Sequence, residues 1–354
     1  VNRDSLLFNS EGVTPVVWQS KASSWAGGAL CTGPATSQWF VGGTADITTR
    51  GRLIIVNSGL SDAVVDVQSF TENGKQPVRT ITVVSKNYMV ISTDSLAPGD
   101  KYLTVHVAPR SGRINAFMVD EQSKGLSSLG GDLVNFAPTA SKLVLIPAIP
   151  HQIKDRAAAL PHTLRVLTPG DVDANITAEV LSADGVFVPV GLTSRSISAG
   201  IVTEFQFTPK ITATVLAVRI TSTEPVVAAI KSTVTVSGRK DFVWSTYAPA
   251  LVPLTIAISG LSPLVSFAGE RINVSLDVTL NNGKVVRKIV KGTEIATWRA
   301  PETARSFTIT KVGPDTFAGA LVSSVNGYGY FPIAPGSLLT KIELPDSNIR
   351  VLNP

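Results

Sequence analysis

The sequence has one cysteine, two methionines and three histidines in 354 residues. A single thiol cannot close an internal disulfide. Cys31 has no basic or histidine neighbour to lower its pKa, so it reads as a small packed residue. His106, His151 and His162 form no His-x-x-x-His pair, and Cys-x-x-Cys is absent, which excludes the usual signatures of a zinc site. Charge is scarce at 16%, against about 25% in an ordinary soluble domain. The balance of 31 basic and 26 acidic residues gives +5, too small and dispersed to indicate a nucleic-acid partner. Mean hydropathy is positive, yet no run reaches the roughly 20 unbroken apolar residues of a spanning helix. The best candidate, Ala250 to Val265, is interrupted by Pro253, Ser259, Gly260, Ser262 and Pro263. No segment combines a basic start, an apolar core and a small-residue cleavage site. The chain begins at Val1, and we expect a processed or trimmed chain, which leaves room for a removed export signal or membrane anchor.

What the sequence has is β-forming residues and a repeat. Hydrophobic residues make up 44%, enough for several cores and too many for intrinsic disorder. One segment reads Leu53-Ile-Ile-Val-Asn-Ser-Gly59, then Ala63-Val-Val-Asp-Val-Gln-Ser-Phe-Thr-Glu-Asn-Gly74. A second reads Leu164-Arg-Val-Leu-Thr-Pro-Gly170, then Ala174-Asn-Ile-Thr-Ala-Glu-Val-Leu-Ser-Ala-Asp-Gly185, offset by 111 residues at both glycines. A third, Ile272-Asn-Val-Ser-Leu-Asp-Val-Thr-Leu-Asn-Asn-Gly283, follows the second at an offset of 98. Each copy closes on a related segment: Asp132 to Pro138, Asp241 to Pro249 and Tyr328 to Pro335.

Asn73-Gly74, Asp184-Gly185 and Asn282-Gly283 are hairpin-turn pairs between apolar runs. Alternation places Val65, Ile176 and Val274 on the core face and Val64, Asn175 and Asn273 on the outer face. Further strands are predicted at Leu103 to Val107 with Ile114 to Val119, Leu216 to Ile220 with Val226 to Ile230, and Phe307 to Ile309 with Phe317 to Val322. Helical periodicity is nowhere sustained, and Asp155 to Leu160 would make one or two turns at most. Short strands with turn signals every 8–12 residues predict an all-β chain of three tandem immunoglobulin/fibronectin-like β-sandwich domains. The boundaries fall at residues 1–150, with an N-terminal extension, 151–251 and 252–354. Residues 1–37 are expected to add strands to the first domain. Proline-bearing joints at Pro147, Pro150, Pro249 and Pro253 predict a semi-rigid rod.

No catalytic constellation, cofactor site or metal site is found. Gly125-Leu-Ser-Ser-Leu129 fails the Gly-x-Ser-x-Gly pattern at its last position, and Ser237-Gly-Arg-Lys240 places a Ser-x-x-Lys match in a turn, where it cannot share a helix face. Asp171 and Asp173 sit in a turn without the six to eight oxygens calcium needs. Asp132 and Asp241 occupy equivalent places, which points to architecture. The Asn-x-Ser/Thr triplets at Asn175 and Asn273 fit strand alternation and have meaning as glycosylation sites only in a eukaryotic secretory route. Trp18, Trp25 and Trp39 cluster ahead of the repeat and are the candidate contacts for a glycan; their other reading is core packing.

The segment Cys31-Thr-Gly-Pro-Ala-Thr-Ser-Gln-Trp39-Phe-Val-Gly-Gly43 resembles a family of exported actinobacterial proteins of unknown function with a Cys-x-x-Pro…Trp-x-x-Gly-Gly opening motif. Leu53 to Gly59, Gly112-Arg-Ile-Asn-Ala116, Ile146-Pro-Ala-Ile-Pro150 and Pro225 to Ala229 match further motifs of that family, over roughly residues 20–250. The resemblance implies export and an envelope location, and it brings no catalytic residues. The expectation is therefore a non-enzymatic, extracytoplasmic envelope protein, a structural spacer or a module binding a cell-wall component or another envelope protein. The alternative is a carbohydrate-binding protein using the N-terminal tryptophans.

Overall fold

A computed structural model describes residues 12–47, 49–125, 127–137, 139–155 and 158–336. Residues 1–11 of the expected extension, Pro138 of the first closing segment and residues 337–354 of the third unit lie outside the described residues. The opening segment forms β1 (Thr14–Lys21) and β2 (Trp25–Leu30). The first repeat forms β3 (Gln38–Val41), β4 (Arg52–Asn57), β5 (Ala63–Thr71), β6 (Gly74–Lys75), β7 (Arg79–Val83), β8 (Asn87–Ser92), β9 (Thr104–Ser111), β10 (Ile114–Lys124) and β11 (Ser127–Val134). Next come β12 (Ser141–Pro150), β13 (Ile153–Asp155), β14 (Ala158–Ala159), β15 (His162–Leu167), β16 (Ala174–Ser182), β17 (Gly185–Phe187), β18 (Arg195–Ile197), β19 (Thr203–Phe207), β20 (Val215–Val236) and β21 (Arg239–Thr246). The last repeat supplies β22 (Leu254–Ala257), β23 (Leu264–Leu280), β24 (Val285–Arg299), β25 (Ala304–Lys311), β26 (Phe317–Ser323) and β27 (Tyr328–Pro332). The chain is all-β. Among the described residues the only helical turn is the 3-10 turn Thr93–Ser95, and no helix is long and apolar enough to cross a membrane.

The pairing pattern recurs with the sequence repeat. In the first repeat β3, β9 and β5 form one sheet, with β6 and β7 on β5, and β8, β4, β10 and β11 form another. In the second, β12 and β16 flank the first half of β20, while β15 and β21 flank its second half. In the third, β22, β25 and β23 repeat the first arrangement, and β23, β26 and β27 the second. The predicted strands at Leu216 and Val226 are thus one 22-residue strand serving both sheets. The first repeat breaks at the corresponding place because Gly112 turns the chain at φ 83°, beside Ala63, where a Cβ would clash; the second offers no glycine there and runs on.

The alternation is as the sequence predicts. Val65, Ile176 and Val274 are buried, and Asn175 and Asn273 face solvent. The three turn glycines all have positive φ, at 108°, 126° and 80°, which a residue with a Cβ adopts only with strain.

Two expectations are corrected. The opening strands do not extend the first repeat: β1 pairs in parallel with β22 of the last repeat, and β2 pairs with β1. Val16, Trp18 and Leu30 accordingly pack into the last repeat's core. Nor do the repeats form a rod. One continuous core spans the first and second repeats, from Phe40 and Leu53 to Ile230 and Trp244. Strand β12, which ends at the proline joint, belongs by pairing to the second repeat and also packs against β23 and β26 of the third. Proline joints limit flexibility but leave open the angle at which units meet. Apolar, weakly charged flanks let the units fold onto one another, since burying a large apolar side chain contributes about 1.5–3 kcal/mol.

Candidate functional site

The closing segments marked by the repeat meet at the centre. Strands β11 and β21 pack together, β21 packs on β27, β27 on β2, and β2 on β11, completing a ring of four strands. The sequence there is small-residue rich: Trp25-Ala-Gly-Gly-Ala in β2, Leu129-Gly-Gly-Asp in β11 and Gly327-Tyr-Gly-Tyr at β27. The glycines are needed because backbones nearly touch. A Cβ on Gly329 would lie 2.5 Å from the Gly28 nitrogen, and one on Gly131 would lie 2.9 Å from the Trp25 ring, closer than atoms tolerate.

Side chains brace this ring through main-chain groups. The Trp244 N–H donates to Asp132 Oδ2 at 2.7 Å, and the Gly131 N–H donates to Asp241 Oδ1 at 3.1 Å. The two equivalent aspartates therefore reach across in opposite directions. Asn135 Nδ2 donates to the carbonyls of Gly28 (2.9 Å) and Tyr330 (2.7 Å), and the Tyr330 hydroxyl donates to the Thr246 carbonyl at 2.6 Å. All three repeats and the opening hairpin are thus tied by buried hydrogen bonds, each contributing about 0.5–1.5 kcal/mol.

Around the ring lies a cluster of charged groups with little solvent. Asp120 Oδ2 accepts from Trp244 Nε1 at 2.9 Å and from Gln122 Nε2 at 3.0 Å. Lys231 Nζ donates to Gln122 Oε1 at 3.1 Å and stands 4.0 Å from the Phe242 ring centroid. The Arg165 guanidinium lies 4.8 Å from the Trp244 ring, donates to the carbonyls of Gly43 and Leu103, and pairs with Glu204 at 2.6 Å. Burial pushes the Asp132 carboxyl well above the usual range and the Asp241 carboxyl up to about 7, and it pulls Lys231 down; in each case the charged form loses hydration. Asp241 Oδ2 has no hydrogen-bond partner among the described residues.

A cleft of about 640 Å³ opens between the second and third repeats, lined in part by His151, Gln152, Thr212, Arg299 and Tyr328. Behind it His151 Nδ1 and His162 Nε2 are 3.0 Å apart, and His162 Nδ1 is 2.9 Å from Ser232 Oγ. The serine–histidine contact suggests a nucleophile, but Ser232 and His162 are fully buried, so no substrate reaches the hydroxyl. Burial lowers His151, and it lowers His162 to about 3; His162 is neutral at ordinary pH. The sequence showed no paired spacing for these two histidines, and their contact is set by the fold.

The tryptophans do not form one surface. Trp25 is 3% exposed and packs on Gly131. Trp39 is 8% exposed and stacks on His106 at 4.1 Å. Trp18 is partly exposed on β1 and lies against the third core. Cys31 is half-buried, and burial raises its thiol pKa. Asp173 Oδ1 accepts the N–H of Ala199, which follows β18, at 2.8 Å, Asp171 is exposed beside it, and Ser237 turns the chain between β20 and β21 at φ 49°. The charged cluster escaped sequence reading, although Arg165 and Lys231, each a cation inside an apolar run, were its visible sign.

A family described as a family of unknown function (DUF5719) matches residues 18–286. No curated protein matches the chain. Among solved structures, the crystal structure of Thermotoga maritima 1070 is similar at 15% identity and a TM-score of 0.25, over 27% of this chain and 87% of that one; a likeness this low carries no argument. The family match spans most of the sequence, and the chain belongs to that family.

Proposed function

We propose that this member of a family of unknown function is an exported, non-enzymatic protein of the actinobacterial envelope. Its three immunoglobulin/fibronectin-like sandwich units act together as a rigid body that spaces or binds a cell-wall component or another envelope protein. The observation that carries the reading is the central ring: β2, β11, β21 and β27 hold every repeat in place, so the outer surfaces have a fixed relative geometry. The most unusual polar chemistry, around Asp132, Asp241 and Arg165, is spent on main-chain bracing and is closed to solvent. Strand pairing that recurs three times supports sandwich units.

Two measurements test this. Fractionating producing cells with an antibody should recover the protein outside the cytoplasm; recovery in the cytosol would remove the envelope assignment. Purified protein should co-sediment with isolated cell wall or be retained on envelope proteins. No retention on wall, glycan or envelope protein would sink the binding half of the proposal and leave the spacer.

A further inference from the structure

The last repeat carries an edge that the central packing leaves open. Strand β24 is fifteen residues long and, among the described residues, pairs only with β23, along one side. Its later part approaches the second repeat, where Arg219 Nη1 lies 3.8 Å from Glu294. From Val285 to Lys291 the other side has no backbone hydrogen bond among the described residues. One face of this stretch exposes apolar side chains, Val285 at 56% and Ile289 at 59%, while Val290 on the other face is buried.

Its charge has one sign. Lys284, Arg287, Lys288 and Lys291 lie on or beside the strand, and all four are exposed. Among the described residues only Arg287 is paired, with Asp277 at 2.9 Å on β23, and the three lysines have no ion pair. Proteins place lysine on open edges to prevent self-pairing. Two copies joined antiparallel here would set lysines of like charge side by side, which is destabilising. The same cations favour a segment of opposite charge.

We infer that the Val285–Lys291 edge of β24 binds an extended acidic polypeptide segment of a partner protein by strand addition. The backbone specifies a peptide: alternate N–H and C=O groups along an edge are matched by another peptide backbone and not by a polyanion's chain. The side chains specify its composition. Arg287 and Lys291 share the outer face with Val285 and Ile289, so acidic and apolar residues should both contact the edge. This names the partner class within the binding role proposed above and rests on that role, but its test needs no cell wall, so either can fail alone.

The probe is a fluorescein-labelled nine-residue peptide alternating Glu and Val, followed by anisotropy at low salt. Saturable binding is expected, with slowed amide hydrogen exchange confined to residues 285–291. The double variant Lys288→Glu, Lys291→Glu should weaken it by about tenfold or more, and Lys284→Glu by less; both change exposed side chains and leave the core intact. A peptide of equal charge with a central proline should bind at least about tenfold more weakly, because it lacks a ladder donor. Equal binding of that peptide, or of a polyuronate without an amide backbone, would overturn strand addition in favour of a polyanion surface. Dimerisation of the protein through this edge, or no binding, would overturn it as well.

Discussion

Replacing Asp241 by asparagine isolates the electrostatics of the central ring. The wild-type carboxyl accepts the N–H groups of Gly131 and Phe242 on Oδ1, and an amide oxygen can accept both. What changes is the ability to ionise. The folded-state pKa is about 7, against an ordinary 3.8. The folded protein therefore holds this proton more tightly than the unfolded chain, and stability from this group is lost as pH rises from about 4 to about 7. At about 1.36 kcal/mol per unit, the cost of ionising Asp241 in the folded state is roughly 1 kcal/mol at about pH 4.5 and roughly 4 kcal/mol at about pH 8. D241N should thus gain about 3 kcal/mol on wild type between those pH values. Urea unfolding followed by fluorescence of the buried Trp244 gives both numbers, and urea adds no salt. His162 titrates in the opposite sense: its folded pKa of about 3 lies below the ordinary 6.5, so its stability is lost as pH falls through that window. It is present in both proteins and cancels in the difference. A difference between wild type and D241N that stays flat within about 0.5 kcal/mol across this range, well under the linkage value, refutes the reasoning.

Other outcomes follow from the same geometry. Gly329→Ala places a Cβ 2.5 Å from the Gly28 nitrogen, and overpacking should cost about 1–3 kcal/mol in a thermal or urea melt. Trp244→Phe keeps a smaller aromatic ring, leaves a cavity and removes the 2.9 Å bond to Asp120; the cavity and the buried acceptor short of a donor should cost about 2 kcal/mol or more by the same melt. The proton resonances of His162 should not shift between about pH 5 and about pH 8, because its pKa is about 3; a midpoint in that range measured by NMR would contradict the buried His151–His162 contact. Trp18→Ala strips a ring from the third core and should cost about 2 kcal/mol or more. An unchanged melt would mean that β1 does not anchor the last repeat.

Much of the local architecture is legible without coordinates. The turn pairs at Gly74, Gly185 and Gly283 need positive φ, and alternation at Val65, Ile176 and Val274 sets which face is buried. Both signals are short-range, so they survive in the chain itself. The long β20 was not legible: two strands are predicted at Leu216 and Val226, although Ser222 to Pro225 lacks the glycine that turns the first repeat at Gly112. The site was legible only in part. Asp132 and Asp241 stood out as equivalent, but equivalence says nothing about which backbone each carboxylate reaches. Arg165 and Lys231 are cations inside apolar runs, but their partners, Glu204, Gly43 and Gln122, lie 39 to 122 residues away.

The sequence by itself determined the strands, their turns, the faces they bury and the threefold repeat, because each follows from residue preferences within a few positions. It also determined that the closing segments were special, through their recurrence. Only the tertiary structure decided that those segments meet in one ring, that the opening hairpin crosses to the last repeat, and that His151 and His162 touch. Such contacts depend on where apolar flanks and bare glycine backbones can approach in space, and a linear pattern carries no record of that distance.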